Sequence, residues 1–475
     1  QYSPDLFIVY TGHNEFLEDR SYGDLRAMSG TWREISRWLH HSRVFSLAHR
    51  ALHGSANPIR DTAQLLPAEV DTILDHSVGP DSYHRDATQH ARVVEHFEFN
   101  LHRMIQAARR VGAKILLVTP SANVKDFSPF KSEFLRELTE DDQNQWFELY
   151  MQATELHDQG NYSQALATLK MAEDLDAGRA DLHFLKGQLL FRLGQMRNAQ
   201  VAFDRAVEAD ICPLRATSSI RAKVEKVALL RRVPLIDFEA ILRNQSQQEF
   251  GHAALGNEYF VDHVHPTLEI HRLLAIALTE ALIQIGDVTP NQLWREQAIS
   301  LVSREIESLV DPALQAKALT NLAQVLSWAG KRLEAGPIAA QAVSLRQEHG
   351  LPEDAESMFY LAVHLEAQDL SDRAATLYQK VLEHVPNHIQ ARQRLASILL
   401  DQRQFNDARV QWENLTKLDP KSASYQHLLG VTYMELDQPT EAAAALEAAF
   451  KLSPNDTAIQ HDLNQAQQQL QNKNR

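Results

Sequence analysis

A period of 34 residues constrains this chain more than any other feature. Pro386, Pro420 and Pro454 are 34 apart, as are Ala374, Ala408 and Ala442, and Ala362, Ala396 and Gly430 hold the matching small position of an earlier segment. Large apolar residues keep the same step: Leu361, Leu395 and Leu429, then Tyr378, Trp412 and Leu446. Three registers repeating together require stacked copies of one helical unit, each burying a face that it cannot bury alone. A looser copy precedes them, with Ala323, Leu326, Gly330, Ala335 and Ala342. The Gln-rich tail from Thr457 to Gln471 suits a solvated capping helix. The same spacing occurs earlier, between Ala165 and Ala199 and between Ala153 and Gly187, with Asp158 to Tyr162 and Gly194 to Arg197 as turns.

The pattern resembles the tetratricopeptide repeat, in which small residues let paired helices pack closely. The resemblance implies two repeats at about Trp146 to Cys212 and four more, with a cap, over residues 316–475. Such repeats imply a concave groove for a protein partner or for self-association, with a structural spacer as the alternative. Members of the family that clamp a terminal carboxylate place Lys, Asn and Arg in the groove. Here those positions hold Phe359, Val363, Gln393, Ser397, His427 and Val431, so no carboxylate clamp is implied.

Composition narrows the partners. A formal charge of −15 over 475 residues, with no long Lys/Arg cluster, argues against a nucleic-acid or anionic-membrane surface. The single cysteine, Cys212, excludes an intramolecular disulfide and a multi-thiolate metal site. His84, His90, His96 and His102 recur every six residues, which scatters them around a helix instead of pairing them, so no metal and no cofactor are expected. The longest apolar run, Leu273 to Ile285, is too short to span a bilayer.

Outside the repeats the periodicity changes. Leu6 to Tyr10 reads as a buried parallel strand running into the turn Thr11-Gly12-His13-Asn14-Glu15. A weakly periodic stretch from Arg20 to Ser82, with possible helices near Trp32 to Leu39 and Ala68 to Asp75, reads as a surface excursion. Helical spacing from Ala87 to Val111 stops at Gly112, and Lys114 to Pro120 follows as a second strand. A helix over Ser218 to Arg232 precedes a third strand, Val233 to Phe238, and an apolar helix begins at Leu268. This order predicts an α/β domain with a parallel sheet over residues 1–144 and 213–286, interrupted by the repeat pair at 145–212 and followed by a helical linker at 287–315.

The loop Phe260-Val261-Asp262-His263-Val264-His265-Pro266-Thr267 places a carboxylate and an imidazole three residues apart before that last helix. Such a pair suits a general base and its orienting acid. Asp81 and His84 have the same spacing without the strand and helix around them. With Gly12-His13-Asn14-Glu15 after the first strand, the loop resembles two blocks of the SGNH or GDSL-type serine hydrolases.

That resemblance implies a three-layer, flavodoxin-like α/β fold. His265 would be the base and Asp262 its orienter. Asn14 would be an oxyanion donor aimed by the turn at Gly12, with His13 and Glu15 as supporting groups. Ser121 and Asn123, after the second strand, would line the pocket or serve only the turn. The expected chemistry is ester hydrolysis or acyl transfer on a carbohydrate, a lipid or a small acyl group. No Gly-Asp-Ser block and no Gly-x-Ser-x-Gly elbow occurs, and Gly23-Asp24 is followed by Leu25. The expectation is therefore a fragment whose nucleophile lies upstream of Gln1, with an extracytoplasmic or membrane-anchored location conferred by that missing N-terminal segment. The rival expectation is a noncatalytic scaffold in which the α/β part is a remnant and the repeats carry the function.

Overall fold

The computed structural model describes residues 4–16, 83–291, 293–328 and 330–473. The expected helices near Trp32 and Ala68, and Asp81, lie outside the described residues. The chain divides into two compact units, Gln1–Ser303 and Arg304–Arg475.

In the first unit, β1 (Leu6–Tyr10) pairs in parallel with β2 (Lys114–Val118), Leu6 opposite Lys114 and Tyr10 opposite Val118. β3 (Leu235–Ile236) pairs in parallel with the other edge of β2. The crossover from β1 to β2 includes α1 (Ala87–Arg110), whose first turn is capped by Asp86 accepting the Gln89 N–H at 2.9 Å. One face of the sheet packs Ile115 and Leu117 against Phe97, Leu101 and Ile105 of α1, together with Ile220 and Val224. On the other face, Leu116, Val118 and Ile236 meet Phe238, Leu242 and Ile270.

Four helices intervene between β2 and β3: α2 (Glu140–Asp158), α3 (Tyr162–Leu175), α4 (Ala180–Arg192) and α5 (Met196–Ala209). Their pairwise packing rests on small residues. Ala153, Ala165 and Ala199 are fully buried, and a Cβ on Gly187 would meet the Phe203 ring at 2.5 Å. The buried side of α5 extends beyond its partner helix. Phe203 and Val207 pack against Val124 and Ala254, so loops of the sheet region take the place of a capping helix.

After these come α6 (Ser218–Arg231), β3, α7 (Phe238–Phe250) and α8 (Leu268–Gln284). A π-helical turn, Trp294–Ala298, and α9 (Ile299–Leu309) lead into the second unit.

The second unit is a succession of helix pairs. These are α10 (Pro312–Trp328) with α11 (Arg332–Glu348), α12 (Ala355–Ala367) with α13 (Ser371–His384), α14 (Ile389–Asp401) with α15 (Phe405–Leu418), and α16 (Ala423–Glu435) with α17 (Pro439–Leu452). The last helix, α18 (Thr457–Lys473), covers the final pair with Ile459, Leu463 and Ala466.

The periodic residues explain the form. Pro386 and Pro420 stand two residues before His388 and Ser422, whose side chains accept the Ala391 and Tyr425 N–H groups and so cap α14 and α16. Tyr378, Trp412 and Leu446 are fully buried, as are Ala374, Ala408 and Ala442. The turn inside each pair needs a left-handed residue. Asp369, Arg403 and Asp437 fill it in successive copies with φ of 60°, 58° and 54°, whereas Gly160 and Gly194 fill it between β2 and β3.

The structure corrects the expected fold class. Among the described residues, eighteen α-helices and a three-stranded parallel sheet make a mostly helical architecture, in which the expected helical repeats are present and the expected three-layer α/β part is reduced to a small sheet. The expected third strand, Val233 to Phe238, shrinks to two residues for a local reason. Pro234 has no N–H to give to a ladder, and Asp237 turns the chain by accepting the Ala240 N–H at 3.1 Å as the cap of α7.

The close packing and the strained turns give opposite expectations. Gly430→Val, which drives a side chain into Leu446, should cost about 1–3 kcal/mol. Arg403→Gly, which relieves a left-handed residue, should add about 1 kcal/mol. Urea denaturation followed by far-ultraviolet circular dichroism measures both.

Candidate functional site

The polar residues singled out in the sequence gather at the carboxyl ends of β1 and β2. Residues 259–267 form a tight hairpin: Val261 N–H donates to the His265 carbonyl at 2.8 Å, and Thr267 N–H donates to the Tyr259 carbonyl at 3.0 Å. The buried Asp262 carboxylate sits inside it. Its Oδ1 accepts the N–H groups of Val264 at 2.8 Å and His265 at 2.6 Å, and its Oδ2 lies 2.6 Å from His265 Nδ1. With Nδ1–H donating to the carboxylate, a neutral His265 ring turns Nε2 outward, and its side chain is 69% exposed.

Burial by itself would raise the Asp262 carboxyl, but the His263 and His265 hydrogens outweigh it and hold the group well below the usual carboxylate range. His265 is raised, chiefly by its hydrogen bond to Asp262.

Two further histidines face the pair. His263 is buried between the Phe127 and Phe130 rings, with centroids at 5.1 and 5.3 Å, and its Nδ1 stops 3.5 Å from Asp262 Oδ2. His13 accepts the Ala216 N–H on Nδ1 at 3.3 Å, and its Nε2 is buried without a hydrogen-bond partner. Burial, then repulsion from His263 and His265, pushes His13 down to about 3. Gly12 lets this turn approach α6: its φ is 131°, and a Cβ there would meet Ile220 at 2.8 Å.

Asn123 joins the group from the loop after β2, donating its Nδ2 to the Asp262 carbonyl at 3.1 Å and its N–H to the His263 carbonyl at 2.9 Å. The remaining expected residues lie apart from the hydrogen bonds of the hairpin. Asn14 is exposed, Glu15 is half-buried at the start of a helical turn, and Ser121 is buried with an Oγ that makes no hydrogen bond. Of the spaced histidines, His84 pairs with Glu133 at 2.9 Å and His102 accepts from Arg231 Nε at 2.9 Å. Among the described residues no group of three His, Cys, Asp or Glu side chains is placed to hold a metal ion. No described helix is long and apolar enough to cross a membrane.

A second candidate lies in the helical array. A cavity of about 770 Å³ opens along the first helices of three successive pairs. Phe359 and Val363, each 4% exposed, form its floor; Gln324, Gln390, Gln393, Ser327 and Ser397 supply amides and hydroxyls along its sides. Its charges are largely satisfied internally. Glu366 binds Arg394 Nη1 at 2.9 and 3.0 Å and accepts the Tyr378 hydroxyl at 2.6 Å, while Glu356 lies 3.7 Å from His388. Four of the six groove positions read from the sequence line this cavity. His427 and Val431 do not; His427 Nε2 is engaged with Asp462 at 2.7 Å.

Tetratricopeptide-repeat family models match residues 150–216 and 313–389, residues 364–431, and residues 423–456. The chain carries tetratricopeptide repeats. Among solved structures, MamA residues 41 to the end from Desulfovibrio magneticus RS-1 align at 23% identity over 33% of this chain and 92% of that one, with a TM-score of 0.28. MamA of AMB-1 aligns at 16% identity over 33% and 83%, with a TM-score of 0.31. The first repeat domain of Spaghetti (RPAP3), bound to an HSP90 peptide, aligns at 20% identity over 24% and 92%, with a TM-score of 0.23. No curated protein matches the chain.

These findings overturn the expected ester hydrolase. The matched families are tetratricopeptide repeats, on both sides of the histidine hairpin. What the repeats support is a protein partner or self-association.

The buried histidine predicts an acid-sensitive fold. An unfolded His13 takes a proton near pH 6.5, whereas the folded ring stays neutral to about pH 3. The unfolded state therefore binds the proton first, and stability falls as the pH drops through that window. His265, raised, acts oppositely: its contribution is complete below about pH 6.5 and is lost as the pH rises through its folded value. His13→Phe should flatten the acid limb of a plot of urea midpoint against pH; an unchanged limb would assign the sensitivity elsewhere.

Proposed function

We propose that the chain is a noncatalytic interaction scaffold whose C-terminal repeats hold an extended segment of a partner protein in the groove floored by Phe359. The observation that carries this reading is the cavity itself. Its volume falls in the range of specific binding sites, and its lining combines a buried apolar floor with a few polar groups. Glutamine side chains both donate and accept, so Gln324, Gln390 and Gln393 match the alternating groups of a peptide backbone better than they match a point charge. The Glu366–Arg394 pairing leaves the groove without a strong preference for one sign of charge. No Lys/Asn/Arg clamp stands at the positions that would grip a chain terminus, so an internal segment fits the groove as well as an end does.

Peptides selected from a random display library against the full-length chain provide the test, with affinities measured by fluorescence anisotropy. Ser397→Trp, which fills the cavity, and Phe359→Ala, which removes its floor, should each weaken binding at least about tenfold, or roughly 1.4 kcal/mol. Selected peptides that bind Ser397→Trp as tightly as the parent chain would refute the groove as the docking site. If Ser397→Trp instead abolishes a concentration-dependent increase in mass by light scattering, the occupant is a second copy.

A further inference from the structure

The inserted repeat pair and the histidine hairpin share one buried strut. α5 runs into Asp210, whose carboxylate is fully buried and accepts three backbone hydrogens: Phe130 at 2.7 Å, Lys131 at 3.0 Å and Cys212 at 3.1 Å. Arg215 is also fully buried, with Nη2 3.8 Å from that carboxylate. Its Nη1 donates to two carbonyls at once, those of Asn123 and Phe127, each at 2.8 Å. Asn123 continues the strut to the carbonyls of His263 and Asp262, and the Phe127 and Phe130 rings clamp the His263 imidazole. A run of buried polar contacts thus leads from the end of the repeat pair to the main-chain carbonyls of Asp262 and His263, on the hairpin that holds the Asp262 carboxylate.

A buried guanidinium is costly unless it is fully used, and removing one partner of such a network leaves others exposed to the same penalty. Both hydrogen bonds of Arg215 Nη1 go to backbone carbonyls of the loop that carries Asn123, so this side chain helps to fix the position of that loop. The repeat pair holds that loop from the other side. Val124 packs against Leu190, Ala199, Phe203 and Val207, and Lys125 sits 5.4 Å over the Phe191 ring while pairing with Glu258 at 2.8 Å.

We propose that Arg215 is a positioning residue that makes the geometry of the Asp262–His265 pair depend on how the inserted repeat pair is docked, so that a disturbance of those repeats is transmitted to an exposed imidazole. The coupling is independent of the groove proposed for the C-terminal repeats. It needs no chemistry at His265; the proton on that ring is simply where the coupling can be read.

The groups that set that proton are few. Asp262 bonds to the ring, His263 shares the carboxylate, His13 faces the pair from the β1 turn, and Arg215 acts on His263 from behind. Carbon-labelled histidine spectra of the full-length chain, with His265 assigned by loss of its signal in His265→Gln, follow its titration directly.

Asp210→Asn at the repeat end, Arg215→Met in the strut and Asn123→Ala at the hairpin end should each lower the midpoint by at least about 0.5 unit, roughly a threefold loss of proton affinity. Arg394→Met, in the other unit, should leave it unchanged. Asn123→Ala keeps the Arg215 contacts to main-chain carbonyls, and it carries the test if Arg215→Met loses its helical signature. Folded Asp210→Asn and Asn123→Ala proteins with the parent midpoint would overturn the proposal.

Discussion

A large side chain lies where a β-carbon would be. Phe203 fills that space beside Gly187, and Leu446 fills it beside Gly430, with ideal Cβ contacts of 2.5 Å in both places. Helices can approach this closely only when one of them carries almost no side chain, and the approach is what lets two short helices bury a shared face. Alone, helices of 13 or 14 residues such as α4, α5, α14 and α15 would be marginal in water. Packed in pairs, they enclose Trp412 and Tyr378 completely. The groove is a by-product of the same constraint, because stacking pairs in register lines up the first helices and leaves Phe359 and Val363 at the bottom of a trough.

The sequence made these contacts readable because small and large residues must alternate at a fixed step wherever the pairing recurs. Ala374, Ala408 and Ala442 mark it without any knowledge of the fold, and Gly112 marks the end of α1 in the same local way. Less visible were features set by competition between neighbours. Val233 to Phe238 has the composition of a strand, yet Pro234 and the capping Asp237 leave only Leu235 and Ile236 to pair, and the helix that starts at Phe238 went unread. The left-handed turn residues were equally hidden, since Asp369, Arg403 and Asp437 do not advertise their conformation as a glycine does. Their common spacing of 34 residues was the available signal.

The histidine hairpin shows why a short motif misleads about chemistry. Asp262 and His265 do meet, at 2.6 Å, but three residues of hairpin are enough to bring them together. The same carboxylate accepts two main-chain hydrogens of its own loop, which is an ordinary way to close a turn. A triad would need a third side chain brought from elsewhere by the tertiary fold. The pair's spacing is a property of the hairpin, so it carries no information about such a partner.

The way the first repeat pair ends has a consequence for how the molecule comes apart. A stack of repeats ordinarily frays from its free ends, each unit opening at little cost to the rest. Here the core of the last pair is continued by Val124 and Ala254, which belong to loops anchored on the sheet. That end has no free unit to lose. Hydrogen exchange in α4 and α5 is thereby tied to opening of the sheet region as one cooperative block, and a force applied across the insertion would be resisted by strands as well as by helices.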